Sequence, residues 1–194
     1  MRFVTKFPPL ILALGLGACA SVVPATMARL AAVQPLEADP AAIAVAIVLP
    51  PGLAVTPGTA RLTVGVVRQD TQTAQTLDLV LQAQDVGGGN LPVPPGATAQ
   101  TYTIAASDVA RMRALQATVA AWKAEDPAPE TAGSFGLGLG GCALGDGPSD
   151  DAVGSAYIRV AAGGDYLPVI VKGSLRDLLG PEVFDAIAPC NGPS

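Results

Sequence analysis

Arg61-Leu62-Thr63-Val64-Gly65-Val66-Val67-Arg68 and Thr76-Leu77-Asp78-Leu79-Val80-Leu81-Gln82-Ala83 decide the fold. In the first stretch Leu62, Val64 and Val66 share one face, with Arg61 and Thr63 on the other. In the second, Leu77, Leu79 and Leu81 stand against Thr76, Asp78 and Gln82. Strand side chains alternate with period two, so both stretches read as strands. Such clean alternation suits an antiparallel sheet that is wet on one side.

The same pattern extends in both directions. Residues 42–49 set Ile43, Val45, Ile47 and Leu49 against smaller neighbours, and Pro50-Pro51-Gly52 stops the run. Pro57-Gly58 marks a turn, and Gly87-Gly88-Gly89-Asn90 with Pro92, Pro94 and Pro95 marks a loop. Residues 101–105 predict a short strand. Residues 133–142 predict another, with Phe135, Leu137 and Leu139 on one face and Gly136, Gly138 and Gly140 on the other. A bare glycine face implies close approach by a neighbour. Residues 156–161 and 166–171 predict a hairpin across Gly163-Gly164-Asp165.

One segment breaks the period. Val109, Met112, Leu115, Val119 and Trp122 recur at helical spacing, while Arg111, Arg113 and Lys123 lie off that stripe. Ser107-Asp108 reads as its start, serine as cap and aspartate in the positive first turn. The helix spans 107–124, and Trp122 reads as a core anchor rather than a ligand platform. Ser174 caps a short helix over 174–179 that Gly180-Pro181 ends, with one more turn at 182–187. The expected fold class is α+β, mostly β. It is an antiparallel sheet or sandwich of about seven strands with one amphipathic helix packed on it.

Composition narrows the function classes. The chain has 194 residues, 50% hydrophobic, 14% charged and 4% aromatic, with net charge −5 and no histidine. Mean hydropathy is +0.45. The acidic balance argues against a nucleic-acid partner. Without histidine, every Ser-His, Cys-His and His-metal constellation is excluded.

The first residues carry an address. Met1-Arg2-Phe3-Val4-Thr5-Lys6 is basic, an apolar stretch follows, and Leu16-Gly17-Ala18-Cys19 closes it. Basic head, brief apolar core and small residues before a cut form the secretory signal pattern. Pro8-Pro9 and the Gly15/Gly17 pair argue against a buried helix there. The tetrapeptide resembles the lipobox of bacterial lipoproteins. That resemblance implies a diacylglyceryl thioether on Cys19, cleavage just before it, and further acylation, palmitate for example, of the new N-terminus. Ala20, where retained lipoproteins carry aspartate, resembles the pattern of export to the outer membrane. Residues 1–18 are thus expected to be a signal peptide and 19–38 a lipidated tether. Residues 39–194 are one globular domain, with a candidate subdomain break near 126–132. The tether reaches about 60 Å when extended. Removing Arg2 and Lys6 leaves the mature protein more acidic still.

Cys142 and Cys190 remain. An even pair in an exported protein reads as a disulfide, with free thiols the lesser alternative. It would contribute about 4 kcal/mol in the chain-entropy model and pin the tail to the body. Two cysteines are too few for a metal site.

Other chemistry is thin. Gly136-Leu137-Gly138-Leu139-Gly140-Gly141 matches G-x-G-x-x-G, but the motif is itself a strand and no helix follows, so it does not predict a dinucleotide site. Asp146, Asp150 and Asp151 offer the oxygens calcium takes, yet without EF-hand spacing they read as a solvated turn. Lys123 and Lys172 sit in no S-x-x-K pattern. No catalytic residue, metal or cofactor is expected. The expected function is a non-catalytic structural, assembly or binding role. The site is the outer membrane, facing the periplasm, with the membrane and an envelope protein as partners. The alternatives are a carrier of lipid or another apolar ligand, and a hydrolase working through paired carboxylates or a Ser-Lys pair.

Overall fold

A computed structural model of the chain describes residues 36–84 and 91–190. Its strands are β1 (Ala44–Leu49), β2 (Leu53–Val55), β3 (Arg61–Arg68), β4 (Thr73–Gln84), β5 (Thr98–Ile104), β6 (Thr131–Gly138), β7 (Gly141–Ala143), β8 (Val153–Arg159) and β9 (Leu167–Ser174). Its helices are α1 (Ala106–Lys123), α2 (Leu175–Leu179) and α3 (Pro181–Asp185). Seven strands form one sheet in the order β6-β3-β4-β5-β1-β8-β9, and β2 pairs with β7 in a second, small sheet. All these strand pairs are antiparallel. The fold is α+β and mostly β, as the alternating pattern predicts.

β1 lies inside the sheet and is covered on both faces. Ile43, Val45 and Ile47 join Leu62, Val64, Val66, Leu79, Leu81, Tyr102 and Ile104 in the main core. Ala46 and Val48 face the other way and pack with Tyr157 beneath Leu91, Ala97, Ala99 and Tyr166. Helix α1 closes the main core with Met112, Leu115 and Val119. Trp122 is half-buried at the margin of that core, packed against it but not sealed within it.

β4 is the corner of the fold. Its first part, Thr73 to Val80, pairs with β3, and Leu81 to Gln84 pair with β5. The exchange of partners falls between Val80 and Leu81. There the Leu81 N–H donates to the Ala60 carbonyl at 3.0 Å and the Ala105 N–H to the Val80 carbonyl at 2.8 Å. The Val80 N–H donates to the Asp108 carboxylate at 2.7 Å. Asp108 is only 6% exposed. Its second oxygen accepts from Arg111, one helical turn on, at 2.9 Å.

This corrects the reading of the helix start. Ser107 is not the cap: the N-cap is Ala105, which makes no side-chain cap bond. Asp108 is in the first turn as expected, where the helix field favours its charge. But its oxygen goes to the strand and not to the helix's own amides. Helix and sheet corner are therefore locked by one buried carboxylate.

Asp108→Ala removes the acceptor of this part-buried bond from the Val80 N–H and is expected to cost about 1–2 kcal/mol. The Val80 amide first, and the Arg111 guanidinium next, hold the Asp108 carboxyl below the usual carboxylate range. Its contribution is therefore complete above about pH 4 and is lost as pH falls through the lowered value. Urea midpoints at pH 7 and pH 3 check this. The gap between wild type and Asp108→Ala should shrink at the lower pH.

Other boundaries differ in instructive ways. The predicted strand over 133–142 divides into β6 and β7, because the chain leaves β3 after Gly138 and turns at Gly140 to pair with β2. Gly140 donates its N–H to Thr59 Oγ1 at 2.9 Å, and its carbonyl accepts from the Thr56 N–H at 2.8 Å. β6 lies at the edge of the sheet, so Phe135 and Leu137 stay 39% and 37% exposed instead of entering the core. The close approach expected at its glycines occurs over Gly140, where an added Cβ would sit 2.9 Å from Thr59 Oγ1. The three-residue strand β2 was hidden between two proline turns. Ser174 does cap α2, accepting from the Asp177 N–H at 3.3 Å. The segment around 126–132 delivers the chain into β6, which pairs along all of β3.

Candidate functional site

Cys142 and Cys190 are joined, their Cα atoms 4.7 Å apart and 48 residues apart in sequence. Cys142 is held by β7, where Ala54 is its partner across the β2 ladder. The tail runs parallel to β7 at Ala143 and Pro189. Ala143 donates its N–H to the Ala188 carbonyl, and the Cys190 N–H returns a bond to the Ala143 carbonyl, both at 2.8 Å. The tail thus becomes a short added strand, and the disulfide fastens its end.

Beneath it, Leu53, Ala152, Leu175 and Phe184 form a second core. Arg176 lies over the Phe184 ring, 4.8 Å from its centroid, and bonds Asp150 and Asp185 at 2.8 Å each. So Asp150, one of the three loop aspartates, is engaged by an arginine. Among the described residues no group of three or more His, Cys, Asp or Glu is placed to hold a metal ion.

Cys19 lies outside the described residues. The first described residues, Leu36 to Asp39, include the last three of the predicted 19–38 tether and are strapped to α1. Lys123 meets Glu37 at 2.8 Å, Arg113 meets Asp39 at 3.0 Å, and Gln116 donates to the Ala38 carbonyl at 2.7 Å. Leu36 and Ala38 pack against the main core. Two of the three basic residues off the apolar stripe of α1, Arg113 and Lys123, therefore fix the point where the N-terminal segment meets the body.

The remaining candidates go to structural work. The glycine motif runs along edge strand β6 and through the Gly140 turn into β7. Lys172 is exposed, with φ of +48°, and its backbone N–H donates to Ser155 Oγ at 3.0 Å. That contact is made by the backbone and not by the amine. A feature not anticipated is Arg68, which grips Asp70 at 2.9 Å and Glu125 at 2.6 Å. It ties the end of β3 to the segment after α1. Two carboxylates hold its guanidinium above its usual range, and Arg68 in turn holds Asp70 below the usual carboxylate range. Arg68 and Asp70 are near in sequence and could have been paired by eye. Glu125 required the fold.

No protein-family model, no curated protein and no solved structure matches the chain. No helix among the described residues is long and apolar enough to cross a membrane.

Proposed function

We propose that the protein is an envelope lipoprotein, acylated on Cys19, whose body faces the periplasm from the outer membrane and has a structural, assembly or binding role without catalysis. The observation that carries this reading is Leu16-Gly17-Ala18-Cys19 behind a basic head and a short apolar core. Two acyl chains hold a protein stably on a membrane, each buried methylene contributing about 0.8 kcal/mol. The Cys142–Cys190 bond suits an oxidising compartment.

The absence of histidine and the placing of the acids support a non-catalytic role. Among the described residues, two pairs of carboxylates converge on arginine: Asp70 and Glu125 on Arg68, Asp150 and Asp185 on Arg176. A general acid needs its pKa raised towards neutrality. Arg68 pushes Asp70 the opposite way.

Cross-linking in intact envelopes, followed by pull-down and mass spectrometry of protein and lipid, tests the role. The expected result is a reproducible envelope protein partner. Copurified lipid beyond the protein's own anchor would instead make it a carrier. Turnover of an ester or glycan substrate that is lost on changing one acid or serine would overturn the non-catalytic reading.

A further inference from the structure

Among the described residues, Arg159 is the one arginine to which the chain offers no acceptor. Arg68 and Arg176 each hold two carboxylates, Arg111 and Arg113 hold one each, and Arg61 donates to the Gly58 and Ala60 carbonyls. Arg159 Nε is sealed from solvent without a hydrogen-bond partner, and among the described residues no other buried side-chain nitrogen or oxygen is so placed. A guanidinium is always charged, and a charged donor buried without a bond is costly. Such a group in a folded protein calls for a physical reason.

The strand register shows how it arises. Arg159 stands across from Ala44 on β1, and Ala44 from Thr103 on β5. Ala44 has only a methyl group, and the Thr103 hydroxyl is engaged by the Gln84 amide at 3.0 Å. On the other side the ladder of β8 with β9 ends at Ile158 and Leu167, so Tyr166 comes next, opposite Arg159. The guanidinium carbon lies 5.2 Å from the centre of the Tyr166 ring. The ring attracts the charge through its face, whereas the N–H groups lie in the guanidinium plane and need acceptors there. Asp165, beside Tyr166, is exposed and makes no bond to Arg159. The charge is thus held by a ring and bonded to no anion of the chain.

We propose that Arg159 binds the carboxylate of an external ligand, its Nε–H and one Nη–H reaching the two oxygens as a fork beside Tyr166. The Nη nitrogens are not sealed as Nε is, so the ligand approaches from their side and displaces what lies against Nε. Three features select a carboxylate. One cation balances one negative charge, and the row Tyr166, Arg159, Ala44, Thr103 and Gln82 holds no second one, so a phosphate monoester, with nearly two charges, would be half balanced. Two donors along one edge of a guanidinium match the two oxygens of a carboxylate. A planar carboxylate continues the guanidinium plane past the ring, where a tetrahedral phosphodiester does not lie flat. This deepens the binding role proposed above, on which it rests. It depends on no residue of the anchor, so its failure would leave the acylation of Cys19 standing.

The test is a titration of the full isotope-labelled chain in micelles of an uncharged detergent at neutral pH. NMR follows the Arg159 Nε–H signal, identified by its contact with the Tyr166 ring. Acetate is the probe, with dimethyl phosphate and chloride in parallel arms. The expected result is a saturable shift with acetate and weaker binding of the other two. Arg159→Lys keeps the charge and loses the fork, so acetate affinity, read from the Tyr166 backbone amide, should fall about tenfold or more. Arg159→Gln should abolish the response. A saturable shift in wild type that either variant loses, with circular dichroism unchanged, supports the proposal. If neither variant folds, the wild-type titration decides. No saturable shift with acetate, equal or tighter binding of either other anion, or a variant that binds acetate as wild type does would overturn it.

Discussion

Replacing Cys142 and Cys190 together by serine should lower the free energy of unfolding by about 4 kcal/mol. The bond closes a separation of 48 residues, and most of the effect comes from freedom returned to the unfolded chain. The folded state should lose less. Phe184 stays buried against Leu53, Ala152 and Leu175, so α3 is held without the bond. The residues beyond it depend on the two backbone bonds to Ala143. Urea unfolding should therefore show a large fall in midpoint, with a native spectrum retained in buffer. Limited proteolysis should cut first near residue 188. A double variant that unfolds at the wild-type midpoint would show that the bond contributes nothing to stability.

Gly52→Ala should cost about 2–4 kcal/mol, through backbone strain and a collision together. Gly52 sits at φ of +82°, and an added Cβ would lie 2.2 Å from the Gly147 carbonyl oxygen. Neither backbone can yield easily, because the Gly52 carbonyl also accepts from the Leu144 N–H at 3.0 Å. Gly58 provides the control. It too has positive φ, +75°, but nothing lies within 4 Å of its would-be Cβ. Gly58→Ala should cost about 1 kcal/mol, from strain alone. Thermal melts of both variants separate the two terms. Equal losses would remove the collision from the account.

The strands with alternating faces were legible from sequence because the pattern and the physics coincide. β3 is bounded by Arg61 and Arg68 as predicted, since apolar alternation begins and ends there. The hairpin of β8 and β9 follows from its glycine turn. Edge and corner were not legible. Phe135 and Leu137 alternate as well as Leu62 and Val64 do, and only the strand order reveals that among the described residues no strand lies beyond them. The change of partner in β4 leaves no mark in Leu79-Val80-Leu81, because the carboxylate that meets the strand there, Asp108, is 28 residues away. Ser107 misled for a related reason: it has a cap's chemistry, but the helix begins one residue before it, at Ala106.

At the candidate site the cysteine pairing was legible by parity, since the resemblance to a lipobox sets Cys19 apart and leaves two cysteines to pair. The strap of Glu37 and Asp39 onto α1 was not. Such pairs join residues 74 and 86 apart in sequence, and no local pattern selects them.

The account turns on Cys19. Wild type and Cys19→Ser should be expressed in the same host, and envelope fractions compared with mass spectrometry of the N-terminal peptide. Wild type should sediment with the outer membrane and begin at an acylated Cys19. The variant should accumulate as uncleaved precursor or appear in the soluble fraction without acyl chains. A variant with unchanged size and unchanged membrane fractionation, or a wild-type Cys19 free of lipid, would contradict the account.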